Sequence, residues 1–164
     1  EMFAAGAADV VLVANDPAPY ARLGLAVIGD SRTGMGPLGG VEAALEHLAA
    51  GAGDAALILP CDLPGITRAQ IARLLEAYGR NPGGVKFAAE ADGGRLHPLC
   101  CVAGVDVLPA VRLALDEGRR GAAELWRRLG SEAVLFADAD AFRNVNTPQE
   151  LADWPERNRK TPGI

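Results

Sequence analysis

A handful of short stretches carry the residues most able to do chemistry. In "LILPCDLPGI" (57–66) an apolar run ends on a single acid, Asp62. A carboxylate at a strand end can hold Mg2+, which takes one or two carboxylates and completes its shell with water and substrate phosphates. The same acid, just ahead of Pro64, equally suits a turn. Upstream, "GDSRTGMGPLGG" puts Asp30 before Gly34, Gly36, Pro37, Leu38, Gly39 and Gly40 and then a helical pattern. Glycines permit positive φ and close backbone approach, and a helix N-terminus offers free N–H groups to a ligand's acceptors. The spacing is neither GxxxxGK(S/T) nor GxGxxG, so a plain strand-to-helix connection accounts for it as well. "GGRLHPLCCV" sets Arg95 and His97 before an apolar run. Arg95 could face an anion, and His97 could edge a site or serve the fold alone. In "FRNVNTP" two asparagines, Asn144 and Asn146, share one side of a short extended segment. Their amides could read a heterocycle with mixed donors and acceptors, or Asn146 could only shape the next turn.

The elements that must deliver these residues are strands and helices in alternation. "DVVLVAN" (9–15), "LAVIGD" (25–30) and "AALILP" (55–60) are continuous apolar runs, the pattern of strands covered on both faces, and "VKFAAE" (85–90), "HPLCCVA" (97–103) and "AVLFAD" (133–138) read as later strands. "FRNVN" (142–146) reads as a shorter strand. Between them Val41, Ala44, Leu45 and Leu48 keep helical spacing, as do Ile71, Leu74, Leu75 and Tyr78. Ala122, Leu125, Trp126 and Leu129 form a third stripe. Thr67 with Gln70, and Thr147 with Glu150, predict capping boxes at two helix starts. The alternation predicts an α/β fold: a three-layer α/β/α Rossmann-like sandwich around a mostly parallel sheet. Such sheets bind ligands beyond the carboxyl ends of their strands, which selects Asn15, Asp30, Asp62 and the glycine loop. Residues 1–154 read as one domain, and the polar tail 155–164 is expected to be loose.

Composition narrows the function classes. Of 164 residues, 49% are apolar and 23% charged, the balance of a soluble globular chain. No apolar stretch approaches the ~18 residues of a membrane span. "EMFAAGAADV" has no basic flank before an apolar run, unlike a signal peptide. A net charge of -5 speaks against broad nucleic-acid binding. The three cysteines, Cys61, Cys100 and Cys101, form no CxxC pair and read as reduced cytoplasmic thiols. Cys61 and Cys100 fall inside strand patterns, which predicts buried, inert side chains. Neither His47 nor His97 offers evident thiol activation.

The order of the motifs says more than any one of them. "VIGDS", "GPLGGVEAAL", "LPCDLPGI", "HPLCCV" and "NVNTPQEL" together resemble the molybdenum cofactor guanylyltransferases, the MobA-like group of nucleotidyltransferases, from about Val10 to Trp154. The resemblance implies a nucleotide-diphospho-sugar transferase-like fold. It implies Mg2+ on Asp62, a guanine-nucleotide contact from Asp30, and the "GPLGG" loop along the nucleotide. Asn144 and Asn146 would lie near molybdopterin, and Asn15 near the nucleobase pocket, although the family's contact could fall at Val13. The implied reaction is transfer of GMP from GTP to molybdopterin with release of pyrophosphate, in the cytoplasm, by a monomer or weak oligomer. Molybdenum cofactor biosynthesis proteins are the implied partners. Cytidylyl transfer to the same cofactor, guanylyl transfer to a small phosphorylated acid, and a non-catalytic nucleotide-binding or partner-docking domain are the rival readings. Family members begin with a strand and the loop LAGGxSxRMGxxK, which this chain does not contain. That departure implies either a longer parent protein or a domain that has lost phosphate gripping, and the first is favoured because a missing central strand would leave its neighbours with unpaired edges.

Overall fold

A computed structural model describes residues 9–32 and 34–158. Its two shortest strands, β1 (Val11–Val13) and β2 (Ala26–Ile28), are wholly apolar and rich in β-branched residues, and pair in parallel, Val11 opposite Ala26. The other four are β3 (Ala55–Ile58), β4 (Val85–Glu90), β5 (Leu96–Gly104) and β6 (Glu132–Phe136), in the order β3–β5–β4–β6. β5 is antiparallel to β3 and to β4, whereas β6 is parallel to β4. Three strands therefore point one way and β5 alone runs back. The carboxyl ends of β3, β4 and β6 and the start of β5 meet at one edge.

Helices cover both faces. α1 (Pro37–Ala50), α3 (Leu108–Asp116) and α4 (Ala122–Arg128) bring Leu38, Val41, Leu45, Val111, Leu115 and Trp126 against Val85, Phe87, Cys101 and Ala103. On the opposite face α2 (Arg68–Arg80) brings Ile71, Leu74 and Ala77 against Cys100, Val102, Val134, Phe136 and Phe142. This is the expected three-layer arrangement. Trp126 has no exposed surface, and its indole N–H donates to Pro98 O at 2.8 Å, so its one polar atom is satisfied inside the core. Both capping boxes form. Thr67 accepts from the Ala69 amide while Gln70 reaches back to the Thr67 amide. Thr147 and Glu150 do the same at the start of α5 (Pro148–Asn158).

Several expectations need correction. "FRNVN" is not a strand: Asp140–Phe142 forms a 3-10 turn, and the Val145 amide donates to Asp62 O at 2.8 Å instead of to a ladder. α3 was not expected from the sequence, although Leu108, Val111 and Leu115 lie on its buried side. The tail continues α5 through Asn158, and residues 159–164 lie outside the described residues. Cys61 is exposed, because β3 stops at Ile58 and three further residues carry the chain out of the sheet. Leu129, at the end of the third stripe, is 41% exposed.

The two sheets do not join. Among the described residues β1 pairs only with β2, and β3 only with β5. All four β3 residues are half-buried, whereas the first five of β4 are buried. A cleft of about 940 Å³ opens between β1 and β3, with α1 along one side.

Candidate active site

The cleft ends at Asp62. After β3 the chain turns at Cys61–Asp62, and the Ile66 amide closes the following turn onto Leu63 O at 3.3 Å. Two contacts from one segment hold Asp62: the Asn144 side-chain amide donates to Oδ2 at 2.6 Å, and the Val145 amide donates to the backbone carbonyl. Oδ1 accepts no hydrogen bond among the described residues. The turn fits closely against the end of the fold. A Cβ at Gly65 would stand 2.9 Å from Ala141 O and 3.0 Å from Trp154 Cζ2, so a side chain there would push α5 away.

Asp30 stands on the cleft wall together with Val13, Gly36, Pro37 and Gly40. Asn15 orients it from both sides of the amide: Asn15 Nδ2 donates to Asp30 Oδ2 at 3.1 Å, and the Asp30 amide donates to Asn15 Oδ1 at 2.9 Å. The start of α1 packs directly behind the acid. A Cβ at Gly39 would lie 3.7 Å from Asp30 Cγ, and one at Gly40 3.9 Å from Asp30 Oδ1. Gly36 sits at φ 63° as the chain enters α1 beside Arg120.

Asp30, Gly36, Pro37, Gly40 and Asp62 thus come together on one cleft. Leu38 and Gly39 are buried, with Leu38 in the core among Val41 and Leu45, so its side chain does not reach the cleft. Asn15 acts on Asp30 rather than lining the cleft itself. Asn144 and Asn146 part company: Asn146 lies in a shallow pocket of about 280 Å³ with Cys61, Pro64 and Val145. His97 is buried, stacks on Phe142 with ring centres 4.8 Å apart, and holds Nε2 3.1 Å from Glu90 Oε1. Arg95 is exposed, and its amide donates to Glu90 Oε2 at 3.2 Å. The His97 hydrogen bond, then the Arg95 amide, hold the Glu90 carboxyl below the usual carboxylate range. Neither His97 nor Arg95 lines the cleft.

No cluster of three His, Cys, Asp or Glu side chains suited to a metal occurs among the described residues. The donor set is one pinned carboxylate with a free oxygen. That fits a hard cation sharing its shell with water and phosphates, and does not fit a caged zinc or calcium site. The thiols offer nothing comparable: burial pushes Cys100 up to about 12 and raises Cys101 as well.

Sequence reasoning passed over a second group of charges. Arg32 meets Glu42 Oε1 at 3.2 Å and Asp116 Oδ1 at 2.5 Å, and Arg112 meets Glu46 Oε1 at 2.7 Å. The Ser31 hydroxyl, then Arg112, hold the Glu46 carboxyl below its ordinary value. The signal was present: Glu42 follows Leu38 by four residues and precedes Leu45 by three, which puts it on the buried stripe of α1.

Residues 1–134 match a family model described as the MobA-like NTP transferase domain. The chain is 38% identical over 141 residues to the molybdenum cofactor guanylyltransferase of Acidiphilium cryptum, spanning 84% of this chain and 67% of the relative. It is 32% identical over 145 residues to the protein of that name from Shewanella sp. (strain MR-4), spanning 87% and 71%. Among solved structures it resembles the molybdopterin-guanine dinucleotide biosynthesis protein A of Archaeoglobus fulgidus, with TM-score 0.72 and 19% identity over 92% of this chain and 79% of that one.

Proposed function

Because the chain belongs to the MobA-like NTP transferase family, and is thereby a nucleotidyltransferase, we propose that it transfers GMP from GTP to molybdopterin and releases pyrophosphate. The observation that carries this reading is the pair of oriented acids on one cleft, Asp30 held by Asn15 and Asp62 held by Asn144. Asp30 has one carboxylate oxygen bound to Asn15, and the other accepts no hydrogen bond among the described residues. Guanine presents two adjacent N–H donors on its pairing edge, which suit a carboxylate. Cytosine presents a donor beside an acceptor, and the acceptor would face the acid with an unmade bond.

Asp62 is the residue that would hold Mg2+, with its free Oδ1 as the ligand atom. When bound, that ion offsets charge on the phosphates and favours their in-line arrangement. Asn144 keeps the carboxylate in one orientation by occupying Oδ2. A terminal phosphate oxygen of molybdopterin attacks the α-phosphorus of GTP. The bond from the α-phosphorus to the α,β-bridging oxygen breaks, and that oxygen leaves as part of pyrophosphate. The attacking oxygen is already ionised, so no side chain need remove a proton. The acceptor is taken to lie toward Asn146, where the shallow pocket opens beside Cys61 and Val145. No helix among the described residues is long and apolar enough to cross a membrane, and the reaction is assigned to the cytoplasm as the family reading implies.

The test is pyrophosphate release with GTP, MgCl2 and molybdopterin, run in parallel with CTP. Release with GTP alone is the expected result. Consumption of CTP in preference would overturn the nucleotide assignment. Nucleotide binding without any pyrophosphate would favour a non-catalytic domain.

A further inference from the structure

Glu42 is the most completely buried charged side chain among the described residues, 1% exposed and packed beside Leu38, Val41 and Leu45. Its Oε1 faces Arg32 at 3.2 Å and Arg112 Nε at 3.9 Å, while its Oε2 is buried without a partner among the described residues. Arg32 is two residues beyond Asp30 and is held on its other side by Asp116 of α3. Ser31, one residue beyond Asp30, bonds Glu46 on the next turn of α1. The turn leaving β2 is therefore tied to α1 and α3 by charge, in a region where an apolar side chain would pack more simply. Apolar replacements of buried ion pairs are often neutral or stabilising, so stability alone is a weak reason for this arrangement. Its geometric result is local: it fixes the backbone immediately after the acid on the cleft wall.

We propose that Glu42 is a positioning residue for nucleotide binding: through Arg32 it fixes the turn after β2, so that Asp30 presents its free carboxylate oxygen to the cleft. The inference rests on the reading of Asp30 as the guanine contact. Glu42 itself touches no substrate. Replacing its carboxylate by the isosteric amide leaves Arg32 without its buried counter-charge, and the turn then samples other positions. Binding of GTP weakens while the chemistry at Asp62 proceeds as before.

The experiment compares wild type, Glu42→Gln, Arg32→Gln and the double variant, by GTP calorimetry and by transfer kinetics. Each single change is expected to raise Kd and KM for GTP about tenfold, the scale of one charge-assisted contact, with kcat within about twofold. The double variant is expected to be no worse than the worse single, because both act through one contact. Lowered thermal stability with unchanged Kd and KM would overturn the proposal, as would equal losses in kcat and kcat/KM. Should Glu42→Gln not fold, Arg32→Gln, at a side chain 31% exposed, decides by the same criteria. A wild-type protein that binds no nucleoside triphosphate would overturn the nucleotide reading and this inference with it. Wild-type binding that neither variant disturbs would overturn the inference alone.

Discussion

β4 and β3 lie in the same sheet, separated only by β5, yet they live in different surroundings. The first five residues of β4 are buried under helices on both faces and flanked by strands on both edges. β3 has one paired edge, and all four of its residues are half-buried along the cleft. Both sequences are mainly apolar, although β4 carries Lys86 and ends on Glu90. The difference lies in their neighbours: where packing closes, side chains are spent on the core, and where it stays open, the chain can present polar groups to a ligand. Asp62 follows the open strand. Glu90, at the end of the closed one, is taken up by His97 and the Arg95 amide.

The sharpest way to break this comparison is at the two strand ends. Asp62→Ala is expected to lower transfer by about a thousandfold or more, the loss of several kcal/mol of charge stabilisation, with little change in denaturation midpoint. A rate within a few-fold of wild type would remove Asp62 from the active site. Asn144→Ala should raise the MgCl2 concentration needed for half-maximal activity about 10- to 100-fold, since it frees the carboxylate to rotate. Packing gives the opposite contrast. Trp126→Ala, on the closed side, is expected to cost about 3–5 kcal/mol in urea unfolding. Leu12→Ala, on the half-buried β1, should cost under about 1.5 kcal/mol because little of its surface is removed from water. Equal costs would mean that the cleft is closed in solution.

The smallest effect is in pH. A carboxyl held below its ordinary range contributes stability above its unfolded value of about 4.3, and that contribution disappears as the pH falls through the lower folded value. Wild-type stability should therefore fall between pH 5 and pH 3, and Glu90→Gln should flatten that slope. An unchanged slope in the variant would show that the His97 contact contributes nothing in solution.

Much of this was legible beforehand, for identifiable reasons. Mainly apolar runs marked all six strands, and both capping boxes marked helix starts, because those signals are local. That Asp30 and Asp62 would reach one cleft was legible because strand ends in such sheets open onto a crevice. The burial of the Leu38 side chain was not legible, because a motif gives positions along the chain and not the direction of a side chain, and the first turn of α1 points this one inward. "FRNVN" was misread because the amide that would define a strand is taken by the Asp62 carbonyl. Helical spacing marks Glu42 as inward-facing, but the Arg32–Glu42–Asp116 contacts join three separate segments of the chain, and no local pattern names those partners.

Cys100 and Cys101 are adjacent in β5, and alternation along the strand sends one thiol into each core. Both are fully buried, and Cys61 alone of the three is exposed. With Cys61 replaced by serine, the protein carries two natural clocks one residue apart. The rate at which each sulfur becomes modifiable under native conditions would time the opening of one helical layer independently of the other. The layer beneath α1 and the layer beneath α2 can then be ranked by which thiol reacts first, with no label introduced.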